Sequence, residues 1–374
     1  MTAEDHVWMA RALRLARQGL YTTHPNPRVG CVLVRDGEMV GEGFHRRAGE
    51  PHAERNALAM AGERARGATA YVTLEPCSHH GRTPPCSEGL LAAGVARVVA
   101  AMEDPNPLVA GQGLAMLRRA GVQVESGLLA SQARALNAGF VKRMEQGRPL
   151  LRCKLAQSLD GRTAMASGES QWITGPAARR DVQRLRARSD AILTGIGTVL
   201  ADDPSLNVRL GIGDLPGVES ADCLPMPLRV VLDPRGEMPP RARMLGLPGS
   251  TLIFCSTADQ AQVTALQAAG AEVERLPGDE DRVDLDAVLE NLARRQINEV
   301  LLETGPTLAG AALAAGMIDE LVIYTAPMIM GSGARGLFHL PGLERMADRI
   351  ELEIGDLRMV GRDLRVTARP RAPA

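Results

Sequence analysis

Two short stretches hold the residues best suited to chemistry. PCSHHGRTPPC, Pro76 to Cys86, sets two thiols on either side of a proline-rich loop, and HAE, His52 to Glu54, lies upstream. Pro84 and Pro85 lack amide hydrogens and fix φ, so the loop is stiff and is not a regular helix. His52, Cys77 and Cys86 are three soft ligands of the kind that hold Zn2+. Three protein ligands leave the fourth position for water, as in a catalytic zinc site. Glu54, two residues past His52, stands where a carboxylate takes that water's proton and passes it to a leaving amine. A structural zinc competes with this reading. It takes four protein ligands, and His79 or His80 would supply the fourth and leave Glu54 without a role.

The helical spacing in PHAERNALAMAGERA puts HAE at a helix start, where free amide hydrogens and a partial positive charge stabilise thiolates. H-x-E followed by P-C-x-x-C is the signature of zinc-dependent base deaminases. Here the second cysteine comes nine positions after the first, and the two-residue spacer is replaced by SHHGRTPP. That loop can also carry His79, His80 and Arg82 to a substrate.

A second group of motifs lies further along. KLAQSLDGRTA holds Lys154, Ser158 and Asp160, SGESQWITG holds Trp172, and LLETGPTLAGAALAAG reads as strand, glycine turn and helix. Amides from Gly305 to Leu308 would face an anion at that helix start. The turn is not G-x-G-x-x-G, so taken alone it reads more readily as a plain strand–helix connection. GIGTVLADDP is equally ambiguous.

The elements that must position these residues alternate between strand and helix, which argues an α/β layer fold. The first half predicts helices at Glu4 to Gln18, after His52, from Cys86, over GQGLAMLRRAG and over Ser131 to Gln146, with strands at VGCVLVRDG, ATAYVTL and VARVVAAM. The second half predicts strands DAILTG, LRVVLD, STLIFCS and NEVLLET. Its helices fall at about 176–188, 259–269, 284–296 and 308–315. GIGDLPGVESADCLPMP reads as a surface excursion and ARPRAPA as a disordered tail. With 374 residues and roughly 150 per domain, two domains are expected. A boundary at GRP gives 1–147 and 148–370.

Composition narrows the classes. Net charge is −1, pI is 6.7 and aromatic residues are 2%, which disfavours nucleic-acid binding. The six cysteines are scattered, the N-terminal stretch lacks an apolar signal core, and no run reaches the roughly 18 apolar residues of a membrane span. A cytoplasmic protein with reduced thiols is expected. Six of the seven histidines fall between His6 and His80, which hints at different chemistry in the two halves.

THPNPRVGCVLV, HAE and LEPCSHHGRTPPC together resemble the deaminase domain of the bifunctional riboflavin-biosynthesis enzyme family, which has this long spacer. The motifs of the second half resemble the reductase domain of the same family. The resemblance covers nearly the whole chain. It implies a cytidine-deaminase-like three-layer domain followed by a dihydrofolate-reductase-like domain. It implies Zn2+ on His52, Cys77 and Cys86, Glu54 as proton shuttle, and substrate contacts from Asn26, His45, His79 and Arg82. Asn26 serves the turn in PNP equally well. For the reductase it implies NADPH near Ala156, Trp172, Thr198, Asp202 and Gly305, Pro306, Thr307, Leu308, Ala309, Gly310 and Ala311. Substrate would meet Ser170, Arg186, Leu206, Arg209 and Glu303, with Lys154 on the substrate side; Arg186 and Arg209 suit a phosphate, although an arginine more commonly serves as solvated surface charge. Thr304 stands where the family commonly has glycine, and a positive φ there would strain it. The implied activity is deamination of a phosphorylated diaminopyrimidinone ribosylamine, then reduction of its ribosyl group, by a homo-oligomer that is a dimer or larger. One rival is a tRNA adenosine deaminase. Another is a structural zinc domain fused to a nucleotide-binding module.

Overall fold

A computed structural model describes residues 1–78 and 85–371. The chain forms two compact units, residues 1–148 with 211–224, and residues 149–210 with 225–374.

In the first unit the elements run α1 (Ala3–Ala16), β1 (Gly30–Arg35), β2 (Glu38–Phe44), α2 (Ala53–Ala61), β3 (Thr69–Val72), α3 (Cys86–Ala92), β4 (Arg97–Ala100), α4 (Gln112–Arg119), β5 (Gln123–Ser126), α5 (Ala130–Leu136) and α6 (Ala138–Gln146). Thr2 starts α1 through a reciprocal capping box with Asp5. The sheet order is β2-β1-β3-β4-β5, with β1 antiparallel to β2 and β3 and the rest parallel. Both faces are covered, so β1 is almost wholly buried.

Glycines set how closely the helices approach. Side chains alternate across a strand, and cross-strand partners share a face. Cys31 pairs with Gly43 and Leu33 with Gly41, so these four share the face that α2 covers. A Cβ on Gly41 would lie 2.3 Å from the Ala57 carbonyl, and one on Gly43 would lie 2.5 Å from the Asn56 Cβ. Gly30 lies on the other face, against the Ala12 carbonyl of α1. The sheet is therefore sandwiched between α1 and α2.

The second unit runs β6 (Leu150–Ser158), β7 (Arg162–Ala164), α7 (Pro176–Arg188), β8 (Ala191–Gly195), α8 (Ile196–Asp202), β9 (Leu228–Leu232), β10 (Thr251–Cys255), α9 (Gln260–Ala268), β11 (Glu272–Arg275), α10 (Leu285–Arg294), β12 (Glu299–Leu302), α11 (Pro306–Ala314), β13 (Glu320–Ala326), β14 (Arg335–Gly336), β15 (Leu352–Val360) and β16 (Asp363–Pro370). Its large sheet has the order β11-β10-β9-β8-β12-β6-β13-β16-β15, while β7 and β14 pair separately. Strands β11 through β13 in that order are parallel, and β16 and β15 extend the sheet antiparallel. From β8 the chain moves outward to β11. It then returns to place β12 between β8 and β6, and β13 beyond β6. Such a reversal opens a crevice at the carboxyl ends of the strands, the usual ligand position in a doubly wound sheet.

Both halves are thus mixed α/β, as expected. The expected helix over Ser131 to Gln146 is two helices broken at Asn137. The Asn137 side chain accepts from the Arg28 amide at 2.8 Å and donates to the Arg28 carbonyl at 3.0 Å, which takes the residue out of helical register. Of the expected surface excursion 211–227, residues 211–224 group with the first unit and bury Leu215 and Val218. There Glu219 meets Arg46 at 3.0 Å, and Gly217 packs on the Gln18 carbonyl. The tail expected to be disordered continues β16 to Pro370, with Ala368 buried between Leu321 and Ile354.

Gly41→Ala should lower the stability of the first unit by about 1–3 kcal/mol, because its methyl group has no room against α2. Denaturant unfolding of the full chain reads this, and an unchanged transition midpoint would contradict the packing described.

Candidate functional site

Two helix starts converge on the three soft ligands. His52 is the N-cap of α2, and Cys86 is the first residue of α3, just after Pro85. Cys77 lies on the segment leaving β3, and its sulfur accepts the Cys86 backbone N–H at 3.3 Å. His52 Nδ1 lies 3.6 Å from Cys77 Sγ and 3.4 Å from Cys86 Sγ. Tetrahedral zinc, with Zn–N near 2.0 Å and Zn–S near 2.3 Å, needs N···S edges of about 3.6 Å. The three atoms already outline one face of such a tetrahedron, so the residues fit the ion.

The electrostatics agree with the donor set. A hydrogen bond from the Cys86 thiol, then one from His52, lowers Cys77 to about 4 against the opposing effect of burial. The bond to Cys77 raises His52, and Cys86, as donor to its neighbour, is pushed up. A bound divalent cation would deprotonate both thiols. Glu54 sits in the first turn of α2 and is 3% exposed. Burial raises its carboxyl to about 7, with the negative Cys77 adding to the effect. A carboxyl poised near neutrality both accepts and returns a proton.

His45 and Asn26 stand beside this cluster. The His45 ring meets the His52 ring edge-on, with centroids 5.3 Å apart. His45 Nδ1 lies 3.2 Å from the Pro51 carbonyl, and its Nε2 lies 3.0 Å from Asn26 Nδ2. Nδ1 is therefore the donor, and Nε2 accepts from Asn26. Burial lowers the pKa of His45, in keeping with a neutral ring. The two residues form one relay that ends at the carbonyl before His52. Sequence reasoning missed Asn56, whose amide donates to the Phe44 carbonyl at 2.9 Å and ties α2 to β2. It also missed Ser87, whose hydroxyl donates to the Cys77 carbonyl at 3.0 Å. His79 and Arg82 lie outside the described residues.

In the second unit a charged cluster gathers where β12 ends, with Glu303 just past that strand and Lys154 in the middle of neighbouring β6. Arg186 of α7 donates twice to Glu303, at 2.6 and 3.0 Å, and once to the Asn207 carbonyl at 3.0 Å. Burial pushes Glu303 up, but Arg186, Lys154 and Arg209 together hold it below the usual carboxylate range. Burial lowers Lys154, and Glu303 opposes that shift. Three cations around one carboxylate leave the site positive, which suits a phosphate. Gln183, absent from the sequence reading, accepts the Arg209 backbone N–H at 2.8 Å and fixes the loop that bears Arg209.

The expected cofactor residues divide. Thr198 and Asp202 lie on α8 after β8, while Gly305, Pro306, Thr307 and Leu308 form the start of α11 after β12. Gly195 and Leu308 bring these two turns into contact. Ala156 lies near the end of β6, and Ala311 is an exposed residue of α11. Trp172 is 66% exposed, with the Arg179 guanidinium 4.7 Å from its ring centre, and offers a flat face. Ser170 precedes it on the same loop and is half-buried. Ala309 instead points into the apolar core, and Gly310 packs on the His339 carbonyl. The Leu206 side chain is also buried in an apolar cluster, with Ile192, Val199 and Met238, so only its backbone can meet a ligand. Thr304 has no positive φ, and Gly305 sits at φ −77°, so the expected strain at this turn does not arise.

Comparison with known proteins matches both halves. The family description "RibD C-terminal domain" fits residues 149–366, and "Cytidine and deoxycytidylate deaminase zinc-binding region" fits residues 2–102. The riboflavin biosynthesis protein RibD of Escherichia coli is 54% identical over 96% of this chain and 98% of that protein. Its Haemophilus influenzae counterpart is 50% identical over 99% and 98%. Among solved structures, Acinetobacter baumannii RibD aligns with a TM-score of 0.90 at 46% identity, covering 99% of both chains. A Thermotoga maritima diaminohydroxyphosphoribosylaminopyrimidine deaminase/5-amino-6-(5-phosphoribosylamino)uracil reductase aligns with a TM-score of 0.84 at 31% identity, covering 98% of this chain and 99% of that one.

The purified protein should carry one zinc per chain by elemental mass spectrometry, and Cys86→Ala should reduce this to a trace. Full zinc occupancy in Cys86→Ala would remove that residue from the ligand set.

Proposed function

This chain belongs to the family of bifunctional riboflavin biosynthesis proteins, with a zinc deaminase half and a reductase half, and from that premise we propose which residues carry each step. Residues 1–147 form the deaminase domain and 148–370 the reductase domain, with 211–224 an excursion of the second that groups with the first. The substrate is 2,5-diamino-6-(5-phosphoribosylamino)pyrimidin-4(3H)-one, in line with the activity for which the Thermotoga maritima relative is named. The observation that carries the reading is the buried Glu54 carboxyl beside the His52, Cys77 and Cys86 donor set.

Zinc on those three ligands supplies Lewis-acid activation of water at neutral pH. Glu54 accepts the proton of the attacking water and returns it to the departing nitrogen. Oxygen replaces the amino group at pyrimidine C2, and ammonia leaves. Asn26 and His45 line the approach and hold the base edge, and His79 and Arg82 complete the substrate contacts. Burial of Glu54 keeps bulk water from competing for its proton.

In the reductase half NADPH, when bound, would supply the hydride for C1 of the ring-opened ribosyl group, where the C=N bond becomes C–N and solvent gives the nitrogen its proton. The backbone N–H groups of Gly305, Thr307 and Leu308 would hold the cofactor's phosphates, Pro306 having none to offer, and Trp172 and Thr198 would orient the rest. Lys154, Arg209 and the Arg186–Glu303 pair bind the substrate end, where the positive excess meets its phosphate. The product is 5-amino-6-(5-phosphoribitylamino)uracil. The enzyme is cytoplasmic, which accords with six cysteines that form no disulfide.

The protein acts as a homo-oligomer, a dimer or larger. Edge strand β15 leaves Ile354, Leu357 and Met359 61%, 59% and 62% exposed, an apolar face of the kind that a second copy covers. Light scattering should give a multiple of the chain mass, and the double variant Ile354→Asp, Leu357→Asp should give the single-chain mass.

NADPH oxidation tests the assignment of the two steps. Given the diamino substrate, wild-type protein should oxidise NADPH steadily and Glu54→Ala should not. Supplying the deaminated compound should restore oxidation in the variant. Equal rates from the diamino substrate would refute the role of Glu54 or the order of steps.

A further inference from the structure

Glu75 precedes Cys77 by two residues and is 5% exposed. Its carboxylate accepts four backbone N–H bonds, from Asp104 at 3.0 Å, Gly111 at 2.9 Å, Gly113 at 2.8 Å and Leu114 at 3.2 Å. Every donor belongs to the start of α4 or the loop leading into it. The N-cap of α4 is Gly111, which has no side chain to offer. A helix start presents amide donors that need an acceptor, and here the acceptor comes from the segment carrying a metal ligand. Bonds from backbone amides to a carboxylate are charge-assisted, and are stronger than neutral ones.

The same segment is gripped twice more. Gly113 lies so close that a Cβ there would sit 1.9 Å from the Pro76 carbonyl oxygen. Beyond the thiol, the Ser87 hydroxyl and amide both donate to the Cys77 carbonyl, at 3.0 and 3.2 Å. Pro76 fixes φ in between. The path from Glu75 to Cys77 therefore has little freedom, and its long-range charged anchor among the described residues is the bond set on α4 and the loop before it.

We infer that Glu75 is a positioning residue for the metal site: by capping α4 it holds the Cys77 sulfur at its distance from His52 and Cys86. The inference rests on the zinc reading of those three residues. Removing an outer partner of a metal ligand typically costs 10–100-fold in metal affinity. In Glu75→Gln one oxygen becomes an amide that turns donors toward donors, so two of the four bonds are lost while the shape is kept.

The test is competition for zinc between the full-length protein and a chromophoric chelator. Glu75→Gln should bind zinc about 10–100-fold more weakly than wild type, and NADPH oxidation from the deaminated compound should be unchanged. Leu117→Ala, in the core face of the same helix, serves as a control for lost stability. It should retain wild-type zinc affinity. If Glu75→Gln is insoluble, Gly113→Ala displaces Pro76 instead and should weaken zinc in the same direction. Wild-type affinity in the variant tested, or an equal loss in Leu117→Ala, overturns the inference. If wild-type protein itself holds no zinc, the metal reading fails rather than the role of Glu75.

Discussion

The seating of α2 on β2 governs the geometry of the deaminase half. Gly41 and Gly43 leave the sheet bare where the helix lands, and Asn56 fastens the helix to the Phe44 carbonyl. This contact places both the N-cap histidine and the first-turn glutamate. It sets His52 against two thiols and puts Glu54 where burial raises its carboxyl to about 7. The candidate zinc ligand His52 and the proposed proton carrier Glu54 share the start of one helix, so their separation is fixed by helical geometry rather than by loop conformation.

The reductase half solves its positioning problem with charge. Its parallel strands are mostly apolar, although Arg152 of β6 is buried against Glu299 of β12, and a second charged cluster forms beyond the end of β12. There Glu303 draws in Arg186, and through it the carbonyl of Asn207. The loop following α8 is thus held by α7, with Gln183 adding a second bond to the Arg209 amide. Arg186 is committed to this scaffold by all its assigned bonds. Lys154 and Arg209 are left to supply most of the attraction for an anion.

Local patterns carried far. HAE and the two cysteines were legible because metal ligands must be particular residue types, and the strand–helix alternation showed both layered halves. What escaped depended on distant partners. The break at Asn137 is caused by Arg28, over a hundred residues earlier in the chain. Leu215 reads as part of a polar loop, because the apolar surroundings that bury it come from elsewhere in the sequence. Leu206 and Ala309 lie in motifs that suggest ligand contact, but their side chains complete apolar clusters. Glu75 lies within a recognisable motif, yet its role is visible only once α4 is folded beside it.

The grouping of residues 211–224 with the first unit bears on how the two activities can be separated. A cut after Arg148 does not yield a complete deaminase, because Leu215, Val218 and the partner of Arg46 remain on the other fragment. Each half is discontinuous in the gene, although the fold has two centres. Splitting the enzyme into monofunctional pieces, or transplanting one half onto another scaffold, therefore requires either carrying that segment across or redesigning the surface it covers.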